Sequence, residues 1–142
     1  MFKIFFSYLK IIFYIANIVL ITLYTFPGSI LGWFIYGNTG LQPQITSDFI
    51  VSSNHVYAFM VLSFLGYISY ENHKLNFLFI YLFSISIFLE MLHMIIPNRG
   101  FEFSDLFGNI LGVLIIYFFC QIYNFFKNLK NENKKFYENN NF

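Results

Sequence analysis

Seven polar side chains in this sequence have the types and spacing to do chemistry: His55, Glu90, His93, Arg99, Glu102, Asp105 and Asn109. Glu90 is the most informative. Fifteen uncharged residues precede it and eight follow it, which places its carboxyl group within a membrane or just below its boundary. A carboxyl group there costs several kcal/mol unless it is paired or protonated. His93 stands three residues on and shares its helical face. Asp105 and Asn109 are four apart, and Gly112 continues their face one turn deeper.

Two kinds of chemistry fit this set. A buried carboxylic acid beside a second carboxylate or an imidazole suits general acid–base work, with Glu90 as acid or base and Asp105 or His93 as partner. Alternatively, Arg99 can grip a phosphate in a forked geometry that Lys would not match, with His55 or His93 and Asn109 around it. Glu90-x-x-His93 also has the spacing of a carboxylate-bridged metal motif. Such sites need a second copy, and the sequence has none, so neither a metal nor a cofactor is expected. Quieter roles exist for each residue. Glu90 or Asp105 can pair with Arg99 to lock a hairpin, His55 can cap a helix at the interface, and neighbours can satisfy His93. Asn109 and Gly112 suit packing, and His73 and Glu102 suit solvated surface.

The elements that position these residues are apolar spans. Of 142 residues, 58% are hydrophobic and 11% charged, against about 25% charged in an ordinary soluble domain. Such a surface must largely face lipid. The aromatic richness, with 22 Phe, follows a general Phe, Ile, Tyr, Asn and Lys bias and carries no weight alone. A net charge of +1 with no basic stripe excludes a strongly basic nucleic-acid binder. The single Cys120 excludes an intramolecular disulfide.

The pattern predicts an all-α membrane protein with four transmembrane helices. The first runs from Ile11 to Phe26, extended backwards through Lys10, which can snorkel. It is long for a leader peptide, and no small-x-small cleavage site follows it. Pro27-Gly28 breaks it, and Ser29 to Tyr36 is too short to span, so an interfacial or re-entrant segment is expected there. A polar connection from Asn38 to Asn54 leads to spans at His55 to Tyr70, Leu75 to Ile96 and Leu106 to Phe126. One domain thus covers 1–126, and the Asn- and Lys-rich stretch 127–142 is expected to fray as a polar tail. Lys3, Lys10, Lys74, Lys127, Lys130, Lys134 and Lys135 fall on one side and only Arg99 on the other, which puts both termini in the cytoplasm. The seven polar residues then converge at the outer face. Gly108 and Gly112 form a small-xxx-small pair that admits another helix backbone.

The ordered set Glu90-x-x-His93, Pro97, Arg99, Ser104-Asp105, Asn109 and Gly112, with His55 and Phe59 upstream, resembles the VanZ-like family of small bacterial membrane proteins. The resemblance covers about His55 to Tyr117, nearly half the chain. His93 stands where the family usually has Gln, and Val51-Ser52 where an Asp-Lys pair is common. The resemblance implies a multi-pass protein of the cell membrane acting in the envelope; the founding member is linked to low-level teicoplanin resistance. The expected function is binding an anionic lipid or lipid-linked glycan headgroup in an outward polar cavity, with Arg99, His55 and Asn109 as contacts. One alternative is an enzyme on a lipid-linked phosphate or glycan, with Glu90 as acid or base and Asp105 or His93 beside it. Another is a structural subunit joined through the Gly-xxx-Gly face to a second copy or to an envelope complex. Membrane lipid is the expected partner, and no nucleic acid is.

Overall fold

The structure, a computed structural model, describes residues 2–70 and 74–139; His73, expected in a turn at the surface, lies outside the described residues. Five helices follow one another: α1 (Phe2–Thr25), α2 (Ile30–Tyr36), α3 (Ser53–Ser69), α4 (Leu75–Leu92) and α5 (Phe103–Asn139). Among the described residues there is no strand.

Three helices are long and apolar enough to cross a membrane: Phe6–Thr25, Leu75–Leu92 and Phe103–Glu132. The large apolar side chains on their outer faces, such as Ile18, Phe77, Ile80 and Phe118, are more than half exposed. Apolar surface on that scale points to a protein that lives in a membrane. With 17 residues, α3 is shorter; at 1.5 Å per residue it reaches about 25 Å against a hydrocarbon core of about 30 Å.

The short α3 is nevertheless the centre of the bundle. It packs most extensively on α5, then on α1 and α4. Its buried residues Phe59 and Leu62 share one core cluster with Leu20, Leu82, Leu89 and Val113 from its neighbours. The glycine pair on α5 explains the close approach. A Cβ on Gly108 would stand 2.7 Å from the Ser52 carbonyl oxygen, and one on Gly112 would strike the Val56 carbonyl oxygen and the Phe59 Cβ. Only hydrogen leaves α3 room to lie against α5 there.

The segment after Pro27 forms the short helix α2, with the Ser29 hydroxyl accepting from the Gly32 N–H and Gly37 closing it in the left-handed region (φ 66°). Leu31, Trp33, Phe34, Ile35 and Tyr36 are all exposed. The loop that follows carries the start of α3. Asp48 accepts from the Ser53 N–H at 2.7 Å and from Gln44 at 2.8 Å, and Asn54 donates to the Pro43 carbonyl at 2.7 Å. Ser52 occupies the N-cap position without a side-chain bond, so Asp48 satisfies the open backbone donor instead.

Two boundaries differ from the sequence expectation. The span expected to reach Ile96 ends at Leu92. The N–H groups of His93, Met94 and Ile95 bond three residues back, and Asn98 takes a left-handed φ of 58° just after Pro97. This tightened turn winds the chain away before the proline ring can meet a helical carbonyl. The tail expected to fray instead continues α5 to Asn139. No Gly or Pro lies beyond Gly112, so nothing in that stretch interrupts the backbone ladder.

Candidate functional site

Every side chain of the predicted constellation lies at one end of the bundle, where α1, α4 and the loop after α2 meet the starts of α3 and α5. His55 comes from the first turn of α3, Glu90 from the last turn of α4, and Asp105 and Asn109 from the first two turns of α5. An acidic residue in a first turn suits the positive end of a helix dipole. Glu90 and Asn109 are fully buried, and His93 and His55 are nearly so.

The contacts are specific. His55 Nε2 faces Asp105 Oδ2 at 3.4 Å, and its Nδ1 lies 3.0 Å from Asn109 Oδ1 and 3.0 Å from the Tyr24 hydroxyl. The Tyr24 hydroxyl donates to Asn109 Oδ1 at 2.6 Å, while Asn109 Nδ2 donates to the Ser86 carbonyl at 3.2 Å. The amide orientation is therefore set by Ser86, and an oxygen that can only accept must receive the His55 Nδ1 proton. That leaves His55 Nε2 as the nitrogen turned to Asp105.

The same reasoning applies to His93. Its Nε2 lies 3.1 Å from the Tyr24 backbone carbonyl and donates to it, so its Nδ1 is the atom 3.3 Å from Glu90 Oε2. Glu90 Oε1 accepts from the Glu102 N–H at 3.1 Å, whereas Oε2 is buried and accepts no hydrogen bond. Each histidine thus turns a ring nitrogen toward a carboxylate oxygen. Two lone pairs at such distances repel unless a proton or another cation lies between them.

Arg99 is near this cluster but is engaged differently from the sequence expectation. Its Nη2 donates to the Leu23 carbonyl at 2.8 Å and its Nε to the Phe26 carbonyl at 3.3 Å. It closes the C-terminal end of α1, where helix carbonyls lack partners and the dipole favours a cation. No ion pair among the described residues joins it to Glu90 or Asp105. The hairpin lock is therefore replaced by a clamp on the first helix. Burial pulls the Arg99 guanidinium below its ordinary range, and the charge around Tyr24, Glu90 and Asp105 opposes that pull.

Tyr24 is the member that the sequence alone did not mark. Its ring stacks on His93 at 5.5 Å between centroids and meets His55 edge-on at 5.2 Å. As one of 11 tyrosines, it carries no spacing signal; the only clue was its place at the same end of a span as the polar set. Ser86 was equally silent. Glu102, read as solvated surface, is exposed at its side chain but supplies a backbone donor to Glu90.

A groove of about 580 Å³ opens beside the cluster between α1, α2 and α3. Ala16, Leu20, Val61 and Leu62 line its apolar length, and Tyr24, His55 and Arg99 line its polar end. A second groove, of about 710 Å³, lies between α1 and α4 around Asn17 and Tyr81, whose side chains are hydrogen-bonded to each other. No family model, curated protein or solved structure matches the chain, so its site is read from its own geometry.

Proposed function

We propose that this chain is a four-span protein of the cell membrane, both termini cytoplasmic, that binds a single anionic amphiphile from the outer leaflet. Its tail lies along the groove between α1 and α3, and its headgroup rests at Arg99 and His55. The resemblance to the VanZ-like family supports a role in the envelope, with a phospholipid or a lipid-linked glycan as the ligand class and glycopeptide resistance as the setting. The observation that carries the reading is the groove itself, about 580 Å³ with aliphatic walls and a polar end at Tyr24, His55 and Arg99. Its shape and polarity match a molecule with a charged head and an apolar tail. A fourth crossing by α3 is supported by its packing against α1, α4 and α5, since a short helix can tilt or thin the bilayer around it.

Native mass spectrometry of gently solubilised protein tests this. Wild type should retain a phosphate-bearing lipid, and Val61→Trp, which blocks the groove from an exposed position, should lose it. Equal retention by both would sink the proposal.

A second reading is an enzyme acting on a lipid-linked phosphate or glycan. It is favoured by the two imidazole–carboxylate contacts, His55 with Asp105 and His93 with Glu90, which can hold and move protons. Turnover of such a substrate that vanishes in Glu90→Gln would decide for it, and an unchanged rate would remove Glu90 from the mechanism.

A further inference from the structure

We infer that His55, Glu90 and Asp105 form a binding site for one divalent transition-metal ion, with Zn²⁺ the best match. The three residues come from α3, α4 and α5, and their ligand atoms lie within 4.8 Å of one another. One imidazole and two carboxylates form a donor set that zinc takes in four-coordinate sites with an open position.

The geometry is close to coordination. Two ligands about 2.1 Å from a tetrahedral ion stand roughly 3.4 Å apart. His55 Nε2 and Asp105 Oδ2 are 3.4 Å apart, with the nitrogen lone pair turned to the carboxylate. Glu90 Oε2 is fully buried, accepts no hydrogen bond, and lies 3.9 Å from His55 Nδ1, on the side of the ring away from the Nε2–Asp105 contact. Protons can relieve the histidine–carboxylate contacts one at a time. A single ion relieves the His55–Asp105 contact and takes up the orphaned Glu90 oxygen as well.

The surroundings are those of a metal site. A ligating histidine characteristically donates its other ring N–H to a fixed acceptor, and His55 Nδ1 does so to Asn109 Oδ1, itself held by Tyr24 and Ser86. Glu90 is oriented by the Glu102 N–H at its other oxygen. The Asp105 side chain is 20% exposed, which gives the ion an entry path and water a place at the open position. The Glu90-x-x-His93 motif therefore does not need its missing second copy. The remaining ligands come from other helices.

The inference does not depend on the amphiphile reading, because the probe is the metal alone. Detergent-purified full-length protein is stripped with a chelator and titrated with Zn²⁺, and in parallel with Co²⁺. About one equivalent should bind, and Co²⁺ should show the intense visible bands of a four-coordinate site. Asp105→Asn and Glu90→Gln, confirmed as helical by circular dichroism, should weaken binding by more than the roughly 10–100-fold seen when outer-shell partners are lost. Wild type that takes up no ion overturns the assignment. Folded variants that bind as tightly as wild type overturn it equally. Should neither variant fold, the wild-type Co²⁺ spectrum decides by itself, because weak octahedral bands would mean that no such site exists.

Discussion

The Tyr24 hydroxyl donates to Asn109 Oδ1 at 2.6 Å, joining the end of the first helix to the start of the last across 85 positions of sequence. Both partners are buried, and the same oxygen orients His55. Tyr24→Phe deletes the donor and keeps the ring stack on His93. It should destabilise the protein by about 0.5–1.5 kcal/mol, the range for one lost hydrogen bond, because Asn109 Oδ1 still accepts from His55. Thermal unfolding in detergent checks this, and an unchanged midpoint would show that the bond adds nothing.

Gly112→Ala should be worse tolerated than Gly66→Ala, although alanine favours a helix by about 1 kcal/mol over glycine. At Gly112 the new methyl meets the Val56 carbonyl and the Phe59 Cβ, which belong to the packed α3 backbone and cannot give way. At Gly66 it meets side-chain atoms of Leu78 and Phe13 at 3.0 Å, which can rotate aside. A lower melting midpoint for Gly66→Ala than for Gly112→Ala would contradict this account of the α3–α5 interface.

Arg99→Lys should leave α1 partly unclamped. One ammonium cannot reproduce the two directed bonds to Leu23 and Phe26. Faster proteolytic cleavage around Pro27-Gly28, milder in Arg99→Lys than in Arg99→Ala, is the expected result. Cleavage rates equal to wild type would remove the clamp from the account.

The Asp48 carboxyl is held below its ordinary range, chiefly by the Ser53 backbone N–H and against the opposing effect of burial. A group depressed in the folded state stabilises it fully above its unfolded value of about 3.9 and loses that contribution as pH falls through the folded value. Hydrogen-exchange protection at the Ser53 amide should therefore drop only in strongly acid solution, below about pH 3.9, and Asp48→Asn should flatten that dependence. The side chain is exposed, so the effect on the whole protein is small.

Four crossings and three predict different places for the two ends of the chain. Reporter fusions at residue 1 and at residue 142 should both report the cytoplasm, and Thr46→Cys should label from outside. Ends on opposite sides would mean that α3 does not cross.

The sequence by itself determined the apolar spans, the break at Pro27-Gly28, and the gathering of His55, Glu90, His93, Asp105 and Asn109 at one end of the bundle. These follow from hydropathy and helical spacing, which are local. Gly108 and Gly112 were legible as a close-approach face for the same reason. Only the tertiary structure decided what each side chain touches. Arg99 turned to the carbonyls of α1, because the end of that helix offers open backbone acceptors within its reach. Tyr24 and Ser86 entered the cluster through contacts 85 and 23 residues long in sequence, which no local pattern encodes. The end of α4 at Leu92 and the helical tail to Asn139 were settled by backbone bonding, a turn tightened ahead of Pro97 and a ladder uninterrupted after Gly112, rather than by hydropathy. Helix periodicity assigns a residue to a face and a depth; which partner it meets there depends on how α1, α4 and α5 pack around α3.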